Sequence, residues 1–418
     1  MGLQNLKALK LMMSEEKERI NTEDLFFDED SDDFELQKFK YTQNLDIKDE
    51  SVVVPDESLT DEQNTVIETT LKWFEDGESP VLTIGGLAGT GKTTVMRKIY
   101  DRLSKENLNI GVGAFTGKAA SVLRRKGVPG NTIHSMIYEL IEVPGGDPIF
   151  ELRYTVPYGL LFLDEASMIG KDLDRDIRSF DIPIIYVGDH GQLEPIKKDS
   201  MILKNPDLRL EQIHRNAGCI AHFSNKLRVS SSTFPEMKND EVYVGTKSNF
   251  TEKFFEADIA ICGYNNTRHA LNIKKREHLG YKDKLPEVGE PLMCLRNNRR
   301  FSTFNGMVAK VTEVLGIYRG NLYLNLEDDL GNTWENIPTW THQYGNNHTQ
   351  SDPINDTIPP KRGVTYFDWA YAITCHKAQG SEYNRVAVYE EIYRDKWDAK
   401  RWRYTAASRA KQFLFYAR

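Results

Sequence analysis

Gly86-Leu87-Ala88-Gly89-Thr90-Gly91-Lys92-Thr93 is the stretch that decides how this chain folds. It follows the apolar run Val81–Ile84 and leads into Thr94–Leu103, whose composition suits a helix. A glycine-rich turn between a buried strand and a helix binds phosphate. The glycines let backbone N–H groups line a concave cradle, and the helix N-terminus adds its positive end. Lys92 is expected to reach the β- and γ-phosphates of a nucleoside triphosphate, and the Thr93 hydroxyl to ligate Mg²⁺. Gly86, Gly89, Thr90, Gly91 and Thr94 complete the expected cradle.

The same rhythm recurs downstream. Ile110–Phe115, Leu160–Leu163 and Ile182–Val187 read as buried strands, each closed by a polar or glycine-bearing turn. This pattern predicts a parallel sheet with helices on both faces. A second set, Asp258–Cys262, Trp369–Thr374, Arg385–Tyr389 and Gln412–Tyr416, predicts a second lobe of the same build. Between its members, residues 286–362 are rich in Gly, Asn and Pro. They carry short alternating strands such as Val308–Val314 and Leu322–Leu326, which read as a small all-β insertion. The expected fold class is α/β, with two phosphate-loop-type lobes of parallel sheet. The expected boundaries are an acidic arm at 1–57, a first lobe at 58–138 and 160–205, and a hairpin insertion at 139–159. The second lobe takes 206–285 and 362–418, and the β insertion 286–361. A chain of 418 residues has room for such an arrangement.

Composition is that of a globular protein, and no apolar run approaches the roughly 20 residues of a membrane span. The N-terminus lacks a secretion signal, so a cytoplasmic location is expected. Cys219, Cys262, Cys294 and Cys375 are widely spaced, which suggests buried thiols rather than a zinc site or a disulfide framework. Net charge is −8, but residues 1–60 hold 16 acidic and 7 basic residues, against 46 and 47 in the remainder. The body is therefore neutral and can carry a local basic groove. Glu15–Glu35 mixes acid with Phe26, Phe27 and Phe34. It reads as a disordered tail or short docked helix, or as a segment that binds a basic surface. That surface would be a partner's or a basic groove of this protein's own.

Asp164-Glu165 closes the strand Leu160–Leu163, where open α/β sheets place their ligands. Asp164 is expected to hold Mg²⁺ and Glu165 to orient or deprotonate the attacking water. In Gly188–Pro195, the amide of Gln192 suits a sensor of the γ-phosphate. Gln63, upstream of the loop, either reads adenine with its amide or is a solvated residue at a helix start. Arg215 and Arg409 lie beyond the first lobe. Each serves as a finger on the γ-phosphate or as a surface ion-pair partner.

In order along the chain stand the phosphate loop, Ala114-Phe-Thr-Gly-Lys-Ala-Ala120, Thr132-Ile-His134, Asp164-Glu165, Gly188–Pro195 and Gln212–Arg215. Tyr371-Ala-Ile-Thr-Cys-His-Lys-Ala-Gln-Gly-Ser-Glu382 and Tyr404–Arg409 follow. This set resembles the motifs of superfamily 1 helicases, in particular the RecD/Dda branch of superfamily 1B, over residues 58–418. The resemblance implies RecA-like lobes, an SH3-like β insertion, ATP with Mg²⁺, and an ATP hydrolase coupled to DNA unwinding. It also implies 5′→3′ travel on single-stranded DNA, partially duplex DNA as a partner, a monomer, and work in replication, recombination or repair in a bacterium or phage-infected cell. By the same resemblance Arg215 and Arg409 become arginine fingers, and Gly380 and Glu382 join the nucleotide site to DNA. Thr116, Lys118 and His134 become first-lobe DNA contacts, matched by Thr374 and His376 in the second.

Ile141–Phe150, with Gly145-Gly146 between short apolar runs, fits the branch's duplex-splitting hairpin. Phe150 and Tyr154 either stack on a base or belong to a core. The same choice stands for Trp334, Trp340, His342 and Tyr344 in the insertion. A translocating helicase is the expected function. The other readings are an ATPase that remodels single strands without separating them and a packaging or nuclease-coupled ATPase, for which the expected carboxylate cluster is missing from the sequence.

Overall fold

The apolar run Val81–Ile84 forms β2 (Val81–Gly86), and every residue after its first is buried, as a strand covered on both faces requires. The computed structural model describes residues 40–42, 59–106, 108–141, 149–194, 202–213, 218–229, 237–298, 300–329, 331–345, 363–392 and 397–418. Around β2 lie β3 (Ile110–Ala114), β4 (Gly130–Thr132), β7 (Leu160–Asp164), β8 (Ile184–Gly188) and β9 (Leu208–Leu210). They form one all-parallel sheet in the order β4-β3-β7-β8-β2-β9. Ile84, Ile99, Val112 and Phe162 fill one face, and Leu161, Leu163, Ile177 and Tyr186 the other. Each such side chain contributes about 1.5–3 kcal/mol through burial. Because β9 pairs with β2, the first lobe runs past its expected limit at residue 205.

Between β4 and β7 stands an antiparallel hairpin of β5 (Tyr138–Ile141) and β6 (Ile149–Leu152), in the register Leu140↔Phe150. The Gly145-Gly146 pair expected at its turn and the Phe150 side chain lie outside the described residues. Tyr154, just beyond it, is 98% exposed.

The second lobe is a parallel sheet too. It comprises β10 (Val242–Gly245), β11 (Ile259–Cys262), β17 (Ala372–Thr374), β18 (Tyr383–Tyr389) and β19 (Ala410–Ala417), in the order β10-β19-β18-β11-β17. The insertion is antiparallel: β12 (Pro291–Cys294), β13 (Val308–Tyr318), β14 (Asn321–Asp328), β15 (Thr333–Trp340) and β16 (Phe367–Trp369). Its core is continuous with that under the second lobe, since Phe254 and Ala260 belong to one cluster with Leu324, Trp334 and Phe367.

Two expectations change here. The single strand expected at Trp369–Thr374 is two strands in two sheets, β16 and β17, so the insertion extends past residue 361. Both halves are buried, and an uninterrupted apolar run hides the change of sheet. The arm contributes β1 (Lys40–Thr42), which pairs antiparallel with β15 along the insertion's edge; the rest of the acidic segment lies outside the described residues. Of the two readings open for Trp334, Trp340 and Tyr344, the core one holds: each is at most 5% exposed. The four cysteines are unpaired thiols; Cys262, Cys294 and Cys375 are buried. No helix among the described residues is long and apolar enough to cross a membrane.

Candidate nucleotide and nucleic-acid sites

The phosphate loop turns between β2 and the helix Lys92–Leu103 with Gly89 and Gly91 at φ +81° and +76°. That left-handed backbone is open to glycine at little cost. Lys92 folds over the loop: its Nζ donates to the carbonyls of Gly86 (2.9 Å) and Leu87 (3.0 Å) and lies 3.8 Å from Asp189 Oδ2. Thr90 is buried, its hydroxyl donating to Leu87 O at 2.8 Å. Thr93 is half-buried and Thr94 exposed on the first turn of the helix.

Gln63 lies beside the phosphate loop. It is buried at the start of the helix Asp61–Asp76, where Thr60 and Gln63 form a capping box. Its Oε1 accepts from Thr60 N–H at 3.1 Å, and its Nε2 donates to Thr90 O at 3.1 Å. Both ends of the amide thus bond main chain, and the residue ties the helix to the phosphate loop.

Asp164 and Glu165 end β7, one strand removed from β2, with β8 between. Burial pushes the Asp164 carboxyl above its usual range, although Glu165 N–H donates to its Oδ1 at 2.8 Å. Glu165, at φ +54°, is pushed up to about 7 by burial and by the Asp164 charge, against the pull of Arg409 and Lys92. The Lys92 charge acts on both carboxyls, so loop lysine and acidic pair share one site. A threonine hydroxyl and one carboxylate are a sufficient protein donor set for Mg²⁺, which completes its shell with phosphate oxygens and water.

From the second lobe, Arg409 reaches this neighbourhood. It is 5% exposed and donates to Thr405 O (3.1 Å), Ser381 O (3.2 Å) and Ser408 Oγ (3.0 Å). Its charge registers on both Glu165 and Glu382. Glu382 is exposed and pairs with Lys411 at 3.3 Å. Arg215 lies outside the described residues. The strand leading towards it is anchored by Glu62, whose carboxylate accepts from Glu211 N–H (3.0 Å) and Gln212 N–H (2.9 Å).

Several residues at this site were not singled out by sequence reasoning. Asp189 directly follows β8 as Glu165 follows β7, and its position just past a strand end was the available signal. It is 1% exposed and accepts from Gln192 Nε2 at 3.2 Å and from the Tyr404 hydroxyl at 2.6 Å. The main chain of Leu193 is held by the second lobe at both ends: its N–H donates to Thr405 Oγ1 (2.9 Å) and its C=O accepts from Gln379 Nε2 (2.6 Å). Lys126, after the helix Gly117–Arg125, places a charge on both Asp164 and Glu382. Nothing in its Arg-Arg-Lys setting marked it out.

The nucleic-acid candidates divide between the two lobes. Thr116 caps the helix Gly117–Arg125, its Oγ1 accepting from Ala119 N–H at 3.1 Å. Lys118 Nζ lies 3.9 Å from Asp329 in the insertion and 5.0 Å above the Tyr383 ring. His134 stacks on Tyr138 at 5.7 Å. Opposite, Thr374 ends β17 and is buried, and Gly380, at φ +70°, comes up to Thr116: a Cβ there would lie 3.4 Å from Thr116 Oγ1. The His376 ring lies 5.2 Å from that of Trp397, and burial pushes its pKa down to about 4, so the imidazole is neutral at ordinary pH.

Comparison with known proteins agrees with this geometry. Residues 58–237 match the AAA domain family, and 369–415 the UvrD-like helicase C-terminal domain. The ATP-dependent RecD2 DNA helicase of Deinococcus radiodurans is 32% identical over 167 residues, covering 38% of this chain and 22% of that protein. The ATP-dependent DNA helicase dda of Enterobacteria phage T4 is 30% identical over 149 residues, covering 34% of each. The chain thus spans about a fifth to a third of these curated relatives. Among solved structures, Bacteroides Pif1 bound to ssDNA superposes with a TM-score of 0.50 at 20% identity, covering 87% of this chain and 93% of that one. Pif1 at forked dsDNA superposes at 0.51 and 19% identity, covering 87% and 92%. With two parallel-sheet lobes and the ordered motifs, the chain is similar to the RecD/Pif1/Dda-like helicases of superfamily 1B.

Proposed function

We propose that this chain is an ATP-dependent DNA helicase that travels 5′→3′ on single-stranded DNA and opens duplexes, using ATP with Mg²⁺ held by Thr93 and Asp164. The observation that carries the reading is that the second lobe reaches into the nucleotide site of the first: Tyr404 Oη accepts from Ala88 N–H at 2.6 Å and Thr405 Oγ1 from Leu193 N–H at 2.9 Å, with Arg409 on the same segment facing Glu165 by charge. A base in one lobe and a cation in the other make hydrolysis depend on closure. Thr116, Lys118 and His134 on the first lobe, with Thr374 and His376 on the second, supply two grips. Closing and opening the cleft between them turns hydrolysis into directed steps. The helicase names of the relatives support the activity, and the polarity rests on family resemblance. Pairing of β1 with β15 supports a structural use for the end of the arm, leaving its acidic part for a single-strand-binding or replication protein. The test is ATP-dependent unwinding of two partial duplexes, one with a 5′ tail and one with a 3′ tail. Unwinding from the 5′ tail alone is expected. Unwinding from the 3′ tail alone overturns the polarity, and DNA-stimulated hydrolysis with neither duplex opened overturns strand separation.

A further inference from the structure

Tyr404 belongs to the second lobe, on the helix Ala399–Ala407, yet its fully buried side chain ends in the nucleotide site of the first. Ala88 N–H, inside the phosphate loop, donates to Tyr404 Oη at 2.6 Å, and the hydroxyl donates onward to Asp189 Oδ2 at 2.6 Å. The same Oδ2 accepts from Gln192 Nε2 at 3.2 Å and lies 3.8 Å from Lys92 Nζ. One phenol thus joins the phosphate loop, the buried carboxylate and the γ-phosphate sensor segment to the other lobe. The ring has room because residue 191 is glycine: a Cβ there would lie 3.0 Å from Tyr404 Cε1. Burial and the Asp189 charge push the phenol's pKa well up, so it remains a donor at working pH.

The N–H groups of such a loop are donors for anions, and a charged phosphate oxygen accepts a stronger hydrogen bond than a phenol does. We propose that Tyr404 is a positioning residue for ATP turnover whose hydroxyl competes with the triphosphate for Ala88 N–H. Displacement of the hydroxyl then couples nucleotide binding to the arrangement of the lobes. The proposal rests on the helicase reading above. Its consequence is one of linkage: an inter-lobe bond that the nucleotide must break contributes to the factor by which nucleotide and DNA alter each other's affinity.

The test titrates the full chain and its Tyr404→Phe variant with mant-labelled AMPPNP, with and without oligo(dT). The variant is expected to bind the analogue about three- to tenfold more tightly, the worth of one ordinary hydrogen bond. The factor by which the analogue changes oligo(dT) affinity is expected to shrink towards one. A merely structural role predicts weaker binding. Affinity that is unchanged or weaker, or a coupling factor equal to wild type, overturns the proposal. If Tyr404→Phe does not fold, meta-fluorotyrosine at position 404 gives a fluorine NMR signal that must shift in step with AMPPNP binding, and a signal that stays put overturns it. Wild-type hydrolysis without oligo(dT) stimulation would instead sink the helicase reading, leaving the competition at Ala88 to be judged from the affinities.

Discussion

Lys92 Nζ and Asp189 Oδ2 stand 3.8 Å apart, the lysine side chain 22% exposed and the aspartate 1%. A carboxylate this buried needs a partner, and the loop lysine is its cation. Lys92 therefore pairs with Asp189, and in the proposed function it is also the charge offered to the phosphates. Lys92→Ala is expected to lower ATP turnover by about 10²–10³-fold, the scale of losing one group that stabilises developing charge. Single-stranded DNA affinity is expected to stay at the wild-type level, because the nucleic-acid candidates lie elsewhere. Steady-state hydrolysis and fluorescence anisotropy with a labelled oligonucleotide check both. A folded variant that has lost DNA binding contradicts the separation of the two sites.

Arg409 is held by two main-chain carbonyls and a serine hydroxyl of its own lobe while its charge acts across the cleft on Glu165. Arg409→Ala is expected to keep nucleotide affinity within about tenfold while turnover falls by about 10³–10⁵-fold, the range for an arginine finger. Arg409→Lys should not rescue it, since a lysine cannot reproduce the fork of donors. Hydrolysis at the wild-type rate would remove Arg409 from that role.

How much of this was legible in the sequence depends on how local the signal is. The phosphate loop, Asp164-Glu165 and the parallel strands were readable because each is a short segment whose chemistry and burial are written in consecutive residues. Residues that act across the cleft were not. Tyr404 and Gln379 are polar side chains in otherwise buried runs, and only the folded chain shows that they meet Asp189 and Leu193, roughly two hundred positions away. For Gln63 the place before the loop was legible, but the capping box and the loop carbonyl that its amide bonds were not. The β1 strand was hidden by composition, since three residues in an acidic arm carry no periodicity of their own and gain their partner from β15.

Burial pushes the Lys377 ammonium down to about 8, with Asn305 Oδ1 as its hydrogen-bond acceptor. Between that value and the ordinary 10.5 the unfolded chain binds a proton that the native one does not, so stability rises with pH across this window. Below about pH 8 the charged lysine imposes its full cost. Lys377→Met should therefore stabilise the protein at pH 7 by about 1–3 kcal/mol, and the gain should vanish above pH 10.5. Thermal melts of both proteins across that range decide it. A gain independent of pH would assign the effect to packing instead.

Where the second lobe meets the insertion, Glu290 is fully buried and Arg276 is its counter-ion. Arg276 Nε donates to Glu290 Oε1 at 2.7 Å and Nη2 to Oε2 at 2.9 Å. The remaining donors reach Asp283 O (2.6 Å) and Leu285 O (3.0 Å), and the guanidinium lies 4.1 Å from the Trp369 ring centroid. The pair thus fastens the helix Asn265–Leu279 to the loop that starts the insertion. Breaking it from one side leaves a carboxylate in the core without a counter-charge, so Arg276→Met should cost about 3–5 kcal/mol. Removing both charges with Arg276→Met and Glu290→Leu should recover much of that loss, because the desolvation cost of the carboxylate goes with it. Urea denaturation of the two variants separates the cases. If the double variant is as unstable as the single one, the loop carbonyls freed at Asp283 and Leu285 carry the stability, and the charge pair does not.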